Sequence, residues 1–154
     1  MAQIPEWGPH IWRILHTCAE RAGTSVTQID EIRAWIQVLR LTEGALPCAM
    51  CRAHYKTWRT THPLEGLLAY RGEQFKEAVR RWIWELHESV NATRGVEGIP
   101  IEALEEMYKG ESLNQSMSAL VKIFEKAVLH RQVNPIYVAE WRRALALLRK
   151  FIGL

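Results

Sequence analysis

Apolar residues return every three or four positions along almost the whole chain, and no stretch of any length alternates every second residue. The first pattern marks one face of a helix and the second would mark a half-buried strand, so an all-α protein is predicted. Residues 8–22 place Ile11, Leu15, Cys18 and Ala22 on one stripe, and a break at "GTSVT" follows. Residues 28–41 carry Ile29, Ile32, Ile36 and Leu39, with Gly44 expected to end the helix. Pro47 suits the first position of a third helix running to about Thr60, because its missing N–H costs nothing there. "THPLEG" breaks the pattern again. The longest stripe follows, Phe75, Val79, Trp82, Leu86 and Val90, closed by Gly95 as a C-cap would close it. A Gly/Pro passage, "GVEGIP", leads to a short helix holding Leu104 and Tyr108. Residues 113–130 then align Leu113, Met117, Leu120, Phe124 and Val128. Residues 135–151 align Val138, Trp141, Leu145 and Leu148 behind the N-cap and first-turn pair Asn134–Pro135. A helical bundle is expected, without repeats or low-complexity segments.

Composition narrows the function classes. At 154 residues the chain can bury its own core without metal or disulfide staples. A net charge of +3 with no run of Lys or Arg gives no footing for nucleic acid. No segment has the ~18 consecutive apolar residues of a membrane span, and "MAQIPEWGPH" lacks the basic and apolar regions of a secretory signal. No nucleic acid and no membrane are therefore expected as partners, and the cytoplasm is the expected location. The 7 tryptophans suit a core, or the walls of a planar ligand site.

The 3 cysteines are a poor disulfide framework but fit one CxxC motif plus a bystander. Cys18 lies on the stripe of the first helix and reads as a small core residue. Cys48 and Cys51, in "LPCAMCRAHY", fall at the start of a helix, where unpaired N–H groups and the positive dipole end stabilise a thiolate. That placement favours a reversible disulfide. It also favours zinc, since Cys48, Cys51 and His54 supply three ligands and His62 a fourth. Against zinc, nothing on the chain makes a second close pair of ligands, so the catalytic expectation is a redox pair with no metal. Inert cysteines in a helical adaptor are the third reading.

The other helices weigh in. Trp12 and His16 are four apart, so an indole and an imidazole share a face. His87 and Asn91 repeat the spacing, with Trp84 one turn earlier, beside the apolar stripe of the long helix. Two such helices next to a CxxC helix suggest one planar ligand with ring nitrogens to be hydrogen-bonded.

"WGPHIWRILHT" at 7–17, "PCAMC" at 47–51, "WIWELHESVNATRG" at 82–95 and "YKG" at 108–110 stand in order. Together they make the chain resemble the Erv/ALR family of FAD-dependent sulfhydryl oxidases. The resemblance implies a four-helix bundle with a short fifth helix over residues 1–110, holding FAD with the CxxC against its isoalloxazine ring. It implies that Cys51 is the sulfur next to the flavin and that Cys48 is the outer one, attacked by a protein or small-molecule thiol. Electrons would then reach O2 and give H2O2. Gly8, Trp12, His16, Trp84, His87, Val90, Asn91 and Arg94 would embrace the cofactor, with Tyr108 and Lys109 on its adenosine or phosphate part. A homodimer through helix faces is implied as well.

The sequence departs from that family at several places. Leu46 replaces an aromatic residue before the PC pair, Pro9 an arginine, Val96 a lysine and Glu88 an asparagine, so Arg94, Lys109 and Arg13 are the cations left for phosphates. A second CxxC, which many relatives use as a shuttle, is missing. Residues 111–154 match nothing in the family and read as a two-helix extension packed on or beside the bundle. A compact oxidase with an unfamiliar tail and no signal is organised like the versions carried by large DNA viruses, which act in host cytoplasm or the virion.

Overall fold

In a computed structural model the protein is described over residues 4–154. Residues 1–3, part of the N-terminal stretch read above, lie outside it. Among the described residues every regular element is helical. Helices α1 (Ile4–Ala19), α2 (Gln28–Ala45), α3 (Ala49–Thr61) and α4 (Gly72–Arg94) make a four-helix body, with a 3-10 turn at Leu64–Ala69 before α4. A second 3-10 turn at Ile101–Ala103 runs into the short α5 (Leu104–Tyr108), and α6 (Asn114–Leu129) and α7 (Pro135–Ile152) complete the chain. Helix α1 packs against α4, α5 and α6, while α2 packs against α3, the turn at 64–69 and α7.

The stripes read from the sequence become one continuous core. Ile11, Leu15 and Cys18 from α1 with Ala22 in the turn after it, Phe75, Val79, Trp82 and Leu86 from α4, and Val138, Trp141, Leu145 and Leu148 from α7 are all buried in it. Each fully buried large side chain contributes about 1.5–3 kcal/mol against exposure, so this shared core holds α6 and α7 to the body. Asn134 and Pro135 begin α7 as expected, the Asn134 side chain accepting the Ile136 N–H at 2.9 Å. Gly95 ends α4 in the left-handed region at φ 65°.

Three expectations need correction. Helix α2 runs through Gly44 to Ala45, and the glycine is there for space: a Cβ on it would lie 3.1 Å from the Tyr137 ring of α7. What stops α2 is Pro47, because the residue before a proline is driven to extended backbone, and Leu46 sits at φ −67°, ψ 125°. Pro47 is thus outside α3, and Cys48 is the N-cap. Finally, Ile29 is 37% exposed, and α2 buries Trp35 and Val38 beside Ile32, Ile36 and Leu39.

Two buried carboxylates brace the turn ends near α1. Glu31 accepts the Gly23 N–H at 3.0 Å and the Trp35 indole N–H at 3.1 Å. Glu20 is paired at 2.8 Å with Arg80 of α4, so neither charge is left alone in the interior. Gly23 itself has φ 84°, and a Cβ there would overlap the Gly72 carbonyl oxygen. Replacing Gly23 by Ala should therefore cost on the order of 2 kcal/mol, lowering the thermal midpoint by roughly 4–8 °C for a chain of this size. Calorimetry on the variant checks this, and an unchanged midpoint would show that the backbone contact yields freely.

Candidate functional site

The site is built where α2 stops and α3 starts. Cys48 has φ −158° and ψ 117°, and its sulfur accepts the backbone N–H of Cys51 at 3.2 Å. This is the bond a serine makes as an N-cap, here made by sulfur. The two cysteines form a disulfide with their Cα atoms 5.2 Å apart. A sulfur at this position faces the unpaired N–H groups of the first turn and the positive end of the helix dipole, so reduction leaves a thiolate where the backbone favours one. Cys18, in contrast, is a buried free thiol whose pKa burial pushes up to about 12.

One wall of a cavity of about 320 Å³ carries Cys51. Trp7, Ile11, Trp12 and Leu15 line it from α1, Thr42 and Leu46 from the end of α2, Met50, His54 and Tyr55 from α3, and Leu86, Val90, Thr93 and Arg94 from α4. Cys48 does not line it. Nearly all the wall is hydrocarbon or aromatic, and most of its polar atoms are already engaged. Tyr55 donates its hydroxyl to the Leu39 carbonyl, Thr42 donates to the Val38 carbonyl at 2.8 Å, and His54 Nε2 lies 3.0 Å from Ser89 Oγ. The Trp7 indole N–H is not engaged: it is buried without a partner. A buried donor left unmatched costs about 1–3 kcal/mol, so a polar ligand atom is the natural acceptor. A flat, largely apolar ring system with carbonyl oxygens and ring nitrogens on its rim fits these walls. The isoalloxazine of FAD is such a ring.

Behind Trp12 lies a stack of rings. The His87 imidazole stacks on Trp12 with centroids 4.0 Å apart and planes within 9°. His87 Nδ1 is 3.1 Å from His16 Nε2, and the Tyr108 ring covers His16 at 4.8 Å. Burial lowers the pKa of His16 to about 3, with His87 and Arg80 adding repulsion, and burial followed by Arg94 lowers that of His87 to about 4. Both rings are neutral at pH 7, which lets one donate its N–H to the lone pair of the other.

The remaining residues singled out from the sequence are placed differently. Trp84 turns to the 95–100 segment and donates its indole N–H to the Ile99 carbonyl at 2.8 Å. Glu88 lies against Gly98 in the same segment, so its carboxylate is outside the cavity wall. Asn91 contributes its backbone carbonyl to the end of α4, accepting the Val96 N–H at 2.9 Å. Gly8 is buried next to Trp7, and Lys109 pairs on the surface with Glu105 at 3.1 Å. Of the lining residues, Trp7, Thr42, Met50, Tyr55 and Thr93 are not among the residues expected at the site. His54, three residues after Cys51 and therefore on its face of α3, was weighed only as a zinc ligand. The zinc set is not assembled: the sulfurs are bonded to each other, His54 is on Ser89, and His62 stacks on Trp58 at 3.4 Å. Among the described residues no group of three or more His, Cys, Asp or Glu side chains is arranged to hold a metal ion.

The histidine pair predicts a pH dependence. The folded state holds His16 neutral down to about pH 3, whereas the unfolded chain protonates it near 6.5. Between those values the unfolded state binds more protons, so stability falls as pH falls. From pH 7 to pH 5 His16 alone should cost on the order of 1–2 kcal/mol. Urea unfolding at the two pH values measures the loss, and His16→Asn should show a shallower one; equal slopes would remove His16 as the source.

Residues 9–109 match the family model described as the Erv1 / Alr family. Two FAD-linked sulfhydryl oxidases of African swine fever virus are similar to the chain. The first, from a pig isolate of Kenya, is 32% identical over 85 residues, 55% of this chain and 65% of the relative. The second, from a tick isolate of Malawi, is 29% identical over 108 residues, 70% of this chain and 84% of the relative. The chain thus spans just under two thirds of the first relative's length. No solved structure matches the chain. The family match takes in all four residues of the ring stack, Trp12, His16, His87 and Tyr108, and the whole CxxC helix, and the chain belongs to the Erv1/Alr family.

Proposed function

We propose that the protein is an FAD-dependent sulfhydryl oxidase that makes disulfides in protein or small-molecule thiols, with O2 as final acceptor and H2O2 as product. The observation that carries this reading is a disulfide in the wall of a largely apolar cavity, with Cys51 lining it and Cys48 outside at the helix cap. A substrate thiolate attacks the Cys48 sulfur, the Cys48–Cys51 bond breaks, and Cys51 leaves as a thiolate. A second substrate thiolate then attacks the substrate sulfur of the mixed disulfide. Cys48 is released as a thiolate into the N–H groups of the first turn of α3, and substrate leaves oxidised by two electrons. Trp7, Trp12, Leu86 and Val90 would flank the cofactor ring, with Trp7 donating to its rim, and His16, His87, Arg94 and Tyr108 would hold the rest. Bound there, FAD supplies the two-electron acceptor that reoxidises the dithiol and delivers electrons to O2.

Residues 1–110 are proposed as the oxidase unit and 111–154 as an extension packed on it, and a homodimer through helix faces is proposed from the family pattern. No helix among the described residues is long and apolar enough to cross a membrane. The relatives' viral origin supports a role in host cytoplasm or in the virion.

The purified protein should be yellow and should consume oxygen when a dithiol is added. Cys51→Ser should keep the colour and lose turnover. His87→Ala should weaken flavin retention first, by about tenfold, or about 1.4 kcal/mol. A colourless protein with stoichiometric zinc would overturn the assignment.

A further inference from the structure

The segment that delivers the chain to Cys48 has little to hold it. Pro47 has no N–H, and Leu46 is in extended backbone with no helical bond to make. Its carbonyl is caught instead by Arg52, one position past the CxxC motif, whose Nη1 donates to it at 2.6 Å. The same nitrogen donates at 3.1 Å to the carbonyl of Gln132, in the turn between α6 and α7. That turn is shaped to offer the carbonyl. Gln132 N–H returns to Ala127 at 2.8 Å and Arg131 N–H to Val128 at 3.0 Å, a helix ending that puts Arg131 at φ 57° where glycine is usual.

Two further struts run from α7 to the last turns of α2. The Trp141 indole donates to Thr42 Oγ1 at 3.0 Å, and Thr42 lines the cavity. The Tyr137 ring lies over Gly44. Two of these contacts meet Thr42 and Gly44 directly, the Gln132 carbonyl reaches Leu46 through Arg52, and all three come from beyond residue 109, where the family match ends. We infer that the α6–α7 hairpin is a working part of the redox site, and that Arg52 is the positioning residue through which it fixes the Cys48–Cys51 pair against the cavity. Arg52 also brings a cation to the carbonyl two residues before Cys48, adding positive charge to the helix end that receives the thiolate.

The inference rests on the oxidase reading for its kinetic test only. The protein is equilibrated with mixtures of reduced and oxidised dithiothreitol, in which one disulfide is exchanged for another with two electrons and two protons, and the thiols are trapped and counted. In Arg52→Met the thiolate loses its nearby cation, so the equilibrium should move toward the Cys48–Cys51 disulfide by about fivefold or more. Dithiol-driven oxygen consumption should lose about tenfold or more in kcat, with KM little changed, because the redox pair is misplaced while no substrate contact is removed. The flavin colour and thermal midpoint should stay near those of the parent. Arg52→Lys, a cation with donors for both carbonyls, should recover most of both losses. If Arg52→Met does not fold, Arg52→Gln carries the same comparison. An unchanged equilibrium constant and kcat, or a loss of activity that only follows a lowered thermal midpoint, overturns the inference. Should the parent prove not to be an oxidase, the dithiothreitol equilibrium still reads out the role of Arg52, so the two failures are told apart.

Discussion

Four N–H groups at the start of any helix lack partners within it, and in α3 one of them is met by sulfur. The contact between Cys51 N–H and the Cys48 sulfur ties together three requirements that are separate in most proteins. It caps the helix, so Cys48 must sit in extended backbone just outside it. It places the second cysteine within bonding reach, on the first turn. It also puts whichever sulfur is reduced in a field that favours negative charge. The proline before it follows from the same geometry, because extended backbone at Leu46 stops α2 and leaves Cys48 free to cap. A serine at position 48 could do the first of these tasks but not the other two.

The cavity beside that helix end is kept apolar at some cost, and the histidine pair shows how. Two imidazoles behind Trp12 could bring charge, and a charged ring there would draw water toward the cavity. Burial holds both neutral instead, helped by His87 and Arg80 at His16 and by Arg94 at His87, and one N–H shared between them serves a nitrogen of each ring. The stack Trp12–His87 and His16–Tyr108 therefore presents an aromatic panel with no net charge. Arg94, at the exposed end of α4, is the cation that lines the cavity, where an anionic part of a ligand can reach it without its charge being buried.

Periodicity made the helices legible, because burial on one face repeats whatever the partner is. Ile11, Leu15, Val79, Leu86 and Leu145 could be placed in the core without knowing what they touch. The same logic failed at Gly44, where a glycine signals either a helix end or a close approach, and only the position of Tyr137 decides between them. It also limited the site. Four-residue spacing correctly put Trp12 with His16, yet spacing says nothing of distance to a third helix. Trp84 goes with His87 by position yet serves the 95–100 segment, while Tyr55, and His54 in a role other than zinc ligand, reach the cavity from the CxxC helix. Trp7 was visible only as one more indole, since an orphaned N–H exists only in a folded interior.

Least legible of all was the relation between the two ends of the chain. Nothing in the order of residues connects Trp141 to Thr42 or Arg52 to Gln132, pairs separated by 99 and 80 positions. Trp141 spends its indole donor on the last turn of α2 and Arg52 spends one on Leu46, so both brace the passage from α2 to α3, where sulfur position matters most. An extension that merely added stability could have packed anywhere on the bundle's apolar surface. Helix α7 lies along α2, the helix whose end sets the entry to the redox pair, and the turn before it aims a carbonyl at Arg52. A redox pair at a helix start depends on how the chain enters that helix, so the elements that fix the entry belong to the site even though they lie far from it in sequence.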